Sequence, residues 1–234
     1  MNNLSSTIRS MKSALRDVFR KIFHIYYPYT GLNGLDKKLI PYLPDGVGYF
    51  IEAGANDGIR QSNTHFLEKH RSWSGLLVEP VPRLAKKCTK NRKRSVVAQV
   101  VLVSPEQSGT NIKIIDLDLM TLVADQSAGL IDTNSHVQLA EEVQGITAAE
   151  IVVRGVTLSE LLEEQGNPQV TLFSLDVEGF EVDVLKGLDL SRHRPDFILV
   201  ETRGINEVNL ALSSHYDLIA TLSHHDYLFK SKSI

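Results

Sequence analysis

The sequence predicts an α/β fold, a mostly parallel β-sheet with helices on both faces. Three observations predict it. From about residue 47 onward short apolar runs alternate with helical stretches. The runs are nearly continuous in apolar residues, as strands buried on both faces are. Strands separated by helices return by crossovers, which build parallel sheets. Size agrees, because 234 residues with 42% hydrophobic and 23% charged suffice for one globular domain and exclude disorder and collagen-like repeats. The formal charge of -3 supplies no global field toward nucleic acid or an acidic polymer.

The elements follow in chain order. Ile8, Met11, Leu15, Val18, Phe19, Ile22, Phe23 and Tyr26 fall at helical spacing, with Arg9, Lys12, Arg16, Arg20 and Lys21 off that stripe. This basic amphipathic helix over residues 8–26 has two readings: docked on the domain's own core, or in peripheral contact with an anionic membrane. Tyr26 to Gly48 is dense in Pro and Gly and reads as linker and turns, which sets domains at 1–46 and 47–234. No run approaches the roughly 20 apolar residues of a membrane span, and the N-terminus lacks a secretory signal pattern. A single cysteine, Cys88, suits a reducing compartment, so the expected location is cytoplasmic.

Tyr49 to Ala53, Gly75 to Glu79, Val96 to Val103, Val170 to Asp176 and Phe197 to Glu201 read as buried strands. Ser62 to His70, Pro82 to Asn91, Leu158 to Gln165 and Phe180 to Leu188 read as helices. Thr157 and Glu160 form a capping box before Leu161, and Gly187 marks a helix stop. Residues 104–150 show no clear strand–helix unit; so long a connection reads as a lid on the substrate side or as surface elaboration.

Chemistry concentrates at the strand ends. Phe50 to Gly58 places a glycine-bearing loop between a strand and a helix, where unsatisfied N–H groups and close backbone approach suit a nucleotide. Its G-x-x-x-G spacing lacks the central glycine of the dinucleotide fingerprint. Glu79 ends the second strand, where these folds set an acid against ribose hydroxyls. With Glu52, Asp176 and Glu201 it makes an acid-rich mouth, which favours cationic S-adenosylmethionine over NAD. The cluster Lys86, Lys87, Lys90, Arg92, Lys93 and Arg94 falls at a helix end without interleaved aromatics, and reads as solvated charge rather than a nucleic-acid surface. His224 and His225, adjacent in a predicted helix, point apart and read as surface residues.

FIEAGANDG (50–58), QSNT (61–64), LLVEP (76–80), VTLSELL (156–162), LDVEGFEVDVLKG (175–187) and PDFILVE (195–201) stand in an order that resembles the FkbM family of S-adenosylmethionine-dependent methyltransferases. The resemblance covers about residues 47–230 and rests mainly on the long LDVEGFEVDVLKG match. It implies a class I methyltransferase (Rossmann-like) fold and methyl transfer to a hydroxyl of a sugar, glycan or small metabolite. Carried over by position, it implies that Glu52, Gly54, Asn56, Asp57 and Gly58 face the methionine part of the cofactor, with Ser62 and Asn63 holding its carboxylate. Glu79 takes the ribose, Pro80 and Ser104 lie near the adenine, and Asp176 faces donor and acceptor. Such sheets usually finish with an antiparallel pair. Here a helix read near Ser213 to His224 leaves only Asp226 to Ile234, so the last strand reads as absent or unrecognisable.

A sugar hydroxyl is a poor nucleophile, so a general base is expected among Asp176, Glu178 and Glu201, with His136 a weaker fourth. The same three acids have the oxygen chemistry for a divalent metal, which stays open. Two rivals remain at this point: an NAD-type oxidoreductase, and a non-catalytic membrane-associated binding module.

Overall fold

The computed structural model describes residues 28–124, 133–144 and 147–233. The amphipathic helix read over residues 8–26 lies outside them. The main sheet contains β1 (Tyr49–Ala53), β2 (Ser74–Val78), β3 (Ser95–Ala98), β8 (Leu172–Leu175), β9 (Phe197–Glu201), β10 (Tyr216–Thr221) and β11 (Asp226–Ser231), and its order is β10-β11-β9-β8-β1-β2-β3. The five strands from β9 to β3 run parallel, while β11 is antiparallel to both β9 and β10. A smaller sheet, β4-β7-β5-β6, combines β4 (Val101–Leu102), β5 (Asn111–Asp116), β6 (Leu122–Val123) and β7 (Ala149–Val156). This is the Rossmann-like class I methyltransferase arrangement.

The helices are α1 (Leu35–Leu39), α2 (His65–His70), α3 (Pro82–Asn91), α4 (Thr133–Gln144), α5 (Leu158–Glu164), α6 (Glu181–Lys186) and α7 (Ile205–Leu212). Every residue of β8 is buried, as are all but the first residue of β1 and β2, because helices cover both faces. The predicted capping box is formed: Thr157 Oγ1 accepts from Glu160 N at 3.1 Å, and Thr157 N donates to Glu160 Oε2 at 2.8 Å. Among the described residues no helix is long and apolar enough to cross a membrane.

Four sequence readings change. The sheet is not short of a strand, because the chain that reads as a helix near Ser213 to His224 forms β10, which pairs with β11. As an edge strand β10 leaves Leu218 and Ile219 exposed, so the inward–outward alternation that marks a strand is lost. The single strand read from Val96 to Val103 divides: Ser95–Ala98 pairs with β2, and Val101–Leu102 leaves for β7. Residues 104–150, read as lacking regular units, hold β5, β6, α4 and the start of β7. The Pro- and Gly-rich stretch before Gly48 is no linker. Leu35, Leu39 and Leu43 are buried in one cluster with Phe50 and Trp73, and Trp73 Nε1 donates to Gly46 O at 2.7 Å.

Candidate active site

The strand order reverses beside β1, between its neighbours β2 and β8. At such a switch the following connections diverge to opposite faces and leave a crevice beyond the strand ends. Here the crevice is an open cleft whose lining includes Gly54, Glu79 and Asp176.

The loop after β1 forms one part of its wall. Gly54 N and Ala55 N both donate to Val78 O at 3.1 Å, which binds the loop to β2. Gly54 has φ +83°, and a Cβ there would stand 1.9 Å from Asp176 O, so only glycine lets β1 and β8 approach. Asn56 also occupies the left-handed region, with φ 48°. Its N–H donates to Glu79 Oε2 at 2.7 Å, while Val81 N donates to Glu79 Oε1 at 2.8 Å. Each carboxylate oxygen therefore keeps a lone pair for a ligand hydroxyl. Burial pushes Glu79 up to about 7 despite those two bonds, and the nearby Asp116 charge adds to the rise.

Gly54, Asn56, Glu79, Pro80 and Asp176 all line the cleft. Other residues expected there stand behind it. Glu52 is buried and accepts from Ser62 Oγ, Asn63 N and Thr64 Oγ1 at 2.8, 2.7 and 2.6 Å. Asp57 accepts from Ile59 N and Arg60 N, which turns the loop, and Gly58 backs onto Cys88 and Arg92. Ser104 stands just before a short 3₁₀ turn and does not line the cleft, whereas the preceding Val100, Val101 and Leu102 do. Successive strand side chains point to opposite faces, so Glu52 points away from the face of Ala53, which lines the cleft.

Sequence reading missed the residue that organises this support. Arg92 is 1% exposed, not solvated with its basic neighbours. It donates to Glu68 Oε2 at 2.9 Å, Glu52 Oε2 at 3.3 Å, Gly58 O and Ser62 Oγ at 3.1 Å each, and Thr64 Oγ1 at 2.8 Å. A buried guanidinium is tolerable when its donors are used, and here they hold the loop after β1 from beneath. Arg60, Gln61, Asp118, Leu119 and Thr121 were missed as well, although all line the cleft. Asp118 and its neighbours lie in the insertion, and no local pattern marks them.

Asp176 and Glu178 continue from the cleft into a second, smaller recess, where they meet Glu181, Glu201, Thr202 and Arg203. The structure thus brings together all three acids proposed as bases. Asp176 is raised well above the usual carboxyl range, first by desolvation and then by Glu201, Glu178, Glu181 and Asp226. Glu178 is pushed up to about 7 by burial and then by Glu201 and Glu181, with Arg203 opposing. Burial and Asp226 raise Glu201, which a hydrogen bond with Asp176 counteracts. Like charges this close share protons instead of ionising together.

His136 is placed elsewhere: it is buried, with Nε2 2.8 Å from Met120 O, and lines neither recess. Among the described residues no group of three His, Cys, Asp or Glu side chains is placed to hold a metal ion, Asp176, Glu178 and Glu201 included.

The FkbM methyltransferase domain model matches residues 52–229, three-quarters of the chain, from within β1 to within β11. The chain belongs to the FkbM methyltransferase family. This FkbM protein is an enzyme of the methyltransferase class, and the expected family resemblance holds. Among solved structures it is similar to a TehB-like SAM-dependent methyltransferase from Corynebacterium glutamicum, at 11% identity over 96% of this chain and 100% of that one, with a TM-score of 0.42. It is also similar to TrmK of M. capricolum in complex with S-adenosyl-homocysteine, at 8% identity over 85% of this chain and 65% of that one, with a TM-score of 0.41. No curated protein matches the FkbM chain significantly.

Proposed function

We propose that this FkbM protein is a cytoplasmic S-adenosylmethionine-dependent O-methyltransferase acting on a hydroxyl of a sugar, glycan or small metabolite. The observation that carries the reading is the pair of joined recesses, one bearing Glu79 and an apolar shelf, the other bearing the acid group, with Asp176 and Glu178 common to both.

The chain's residues fit the donor. Glu79 presents a carboxylate to the cleft, with lone pairs left for ribose hydroxyls after its two backbone bonds. Val100, Val101 and Leu102 offer an apolar surface for a base. Gly54 and Asn56 bring backbone close to the ligand. When bound, S-adenosylmethionine supplies an electrophilic methyl group on a sulfonium. Asp176 and Glu178 face the same space, so negative charge is available there for a cation.

At the acceptor, positioning comes first, because alignment of reacting groups is worth several orders of magnitude in effective molarity. An ionised carboxylate of the Asp176, Glu178 and Glu201 group then takes the proton of the acceptor hydroxyl. Their raised affinities for protons make them better bases than ordinary carboxylates. The proton stays within the group, where neighbouring acids already share one.

The test has two arms. Calorimetry with S-adenosylmethionine, S-adenosylhomocysteine and NAD should give binding for the first two alone; binding of NAD alone would return the oxidoreductase reading. A screen of sugar, glycan and metabolite acceptors with isotopically labelled donor, read by mass spectrometry, should give a product in which a labelled methyl group replaces a hydroxyl hydrogen. Transfer confined to nitrogen acceptors would reject the hydroxyl.

A further inference from the structure

The insertion reaches the donor cleft as a turn, Leu117 to Thr121, followed by β6, and Leu119, Thr121, Leu122 and Val123 all line the cleft. This turn has its own packing. Leu117, Leu122 and Ala140 form a cluster separate from the two larger cores, with Met120 and Val137 packed against it. Internal bonds stiffen it: Leu117 N donates to Thr121 Oγ1, which donates to Asp118 O, both at 3.1 Å. Ile114 and Val123 on either side belong to the main core, and β5 is paired with β7 along its length, so only the turn from Leu117 to Thr121, with its own small cluster and internal bonds, can move locally while β5 and β6 stay anchored.

Charged and polar groups join it to the rest of the site. Arg83 grips Asp116 through Nη2 and Nε at 2.7 and 3.0 Å, and its Nη1 reaches Asp118 Oδ1 at 3.2 Å. Arg60 Nη1 meets the other oxygen, Asp118 Oδ2, at 2.7 Å. Asn56, whose backbone already binds Glu79, donates its side-chain amide to Asp118 O at 3.2 Å. Asp118 thus connects the turn to the donor loop and to α3 at once. The two guanidiniums are 37% and 46% exposed, so salt reaches these pairs, while the two acids are mostly covered.

We infer that Asp116 and Asp118 are positioning residues which, with Arg60 and Arg83, form an ionic latch holding this turn over the donor cleft, and that the spent cofactor leaves when the latch opens. The inference rests on the donor reading of the cleft. The set fits this role, because the planar bidentate Arg83–Asp116 fork and the single bonds from Arg60 and Arg83 to Asp118 fix the orientation of the turn, yet pairs with partly exposed guanidiniums are weak enough to break during turnover.

Two measurements on the full chain test it. Hydrogen–deuterium exchange of the free protein, which needs no ligand, should show faster exchange across Leu117 to Thr121 in Asp116→Asn/Asp118→Asn, with α5 and β8 unchanged. Stopped-flow release of S-adenosylhomocysteine should quicken about tenfold in that variant, as expected for losing three partly exposed pairs. Release from the native protein should quicken with added NaCl, and the variant should not respond. Arg83→Gln, on the exposed side, should reproduce part of both effects, and Arg83→Lys should restore only some of the native behaviour because the fork is lost. Unchanged exchange in both Asp116→Asn/Asp118→Asn and Arg83→Gln overturns the latch. Altered exchange in a protein that binds neither S-adenosyl compound overturns the donor reading, and with it the claim that the latch controls cofactor exchange.

Discussion

The backbone N–H of Asn56 donates to Glu79 Oε2 at 2.7 Å, so the loop after β1 and the acid after β2 are set against each other before any ligand arrives. On the proposed reading of the cleft, donor recognition depends on that pairing. Because hydroxyl donors favour the ionised carboxylate, and Glu79 sits near 7, donor affinity should rise with pH to about 7 and then level. Binding below that point should release protons, which calorimetry in buffers of different ionisation enthalpy detects. Glu79→Gln should remove the pH dependence and cost about tenfold or more in affinity; a retained pH dependence would assign it to another group.

The same group affects stability with a definite sign. Between 4.5 and about 7 the folded protein holds a proton on Glu79 that the unfolded chain has released. Its contribution to stability therefore falls as pH rises through that window and levels above it. Denaturant unfolding of native protein and Glu79→Gln at pH about 5 and about 8 should show the native protein losing, relative to the variant, on the order of 3 kcal/mol at most. A gain would contradict the direction.

Turnover should follow the acid group in the second recess. A base must be ionised, and Glu178 lies near 7 with Asp176 raised well above its usual value, so kcat/KM should climb as pH passes through about 7 and then flatten. The apparent values belong to the coupled group. Asp176→Asn should lower kcat by about 10²-fold or more, and Glu178→Gln or Glu201→Gln should shift the profile. An unaltered rate in all three would remove the base from this recess.

Arg92 should matter for stability far more than a surface arginine. Arg92→Ala leaves Glu52 and Glu68 buried without their counter-charge, a loss of about 3–5 kcal/mol in denaturant unfolding. Lys86→Ala, in the same basic stretch, should change stability by less than about 0.5 kcal/mol.

Gly54→Ala should weaken both the fold and the donor site, because the new Cβ meets Asp176 O at 1.9 Å in a backbone conformation with φ +83°. Donor affinity and melting temperature should fall together. An unchanged melting temperature would mean that β1 and β8 separate at little cost.

Much of this site could be read along the chain. Gly54, Glu79 and Asp176 each lie at or just beyond a strand of local apolar sequence, and a strand's end fixes which residue emerges at the sheet's edge. Thr157 and Glu160 were legible because a capping box spans only three residues. Other features needed partners far away. Glu52 matches the loop pattern but turns inward to Arg92, 40 residues on, and Arg60 meets Asp118 across 58 residues. Ser104 follows a strand that had already left the main sheet.

Local hydrophobic runs and turn residues determined the parallel strands, their helices and the acids at their ends, because those depend on interactions between near neighbours. The burial of Arg92, the antiparallel finish through β10, and the turn bearing Asp118 over the cleft were decided by the tertiary structure alone. Each depends on desolvation or pairing between segments that are distant in the chain, and the free energy of such contacts exists only once the sheet has brought them together.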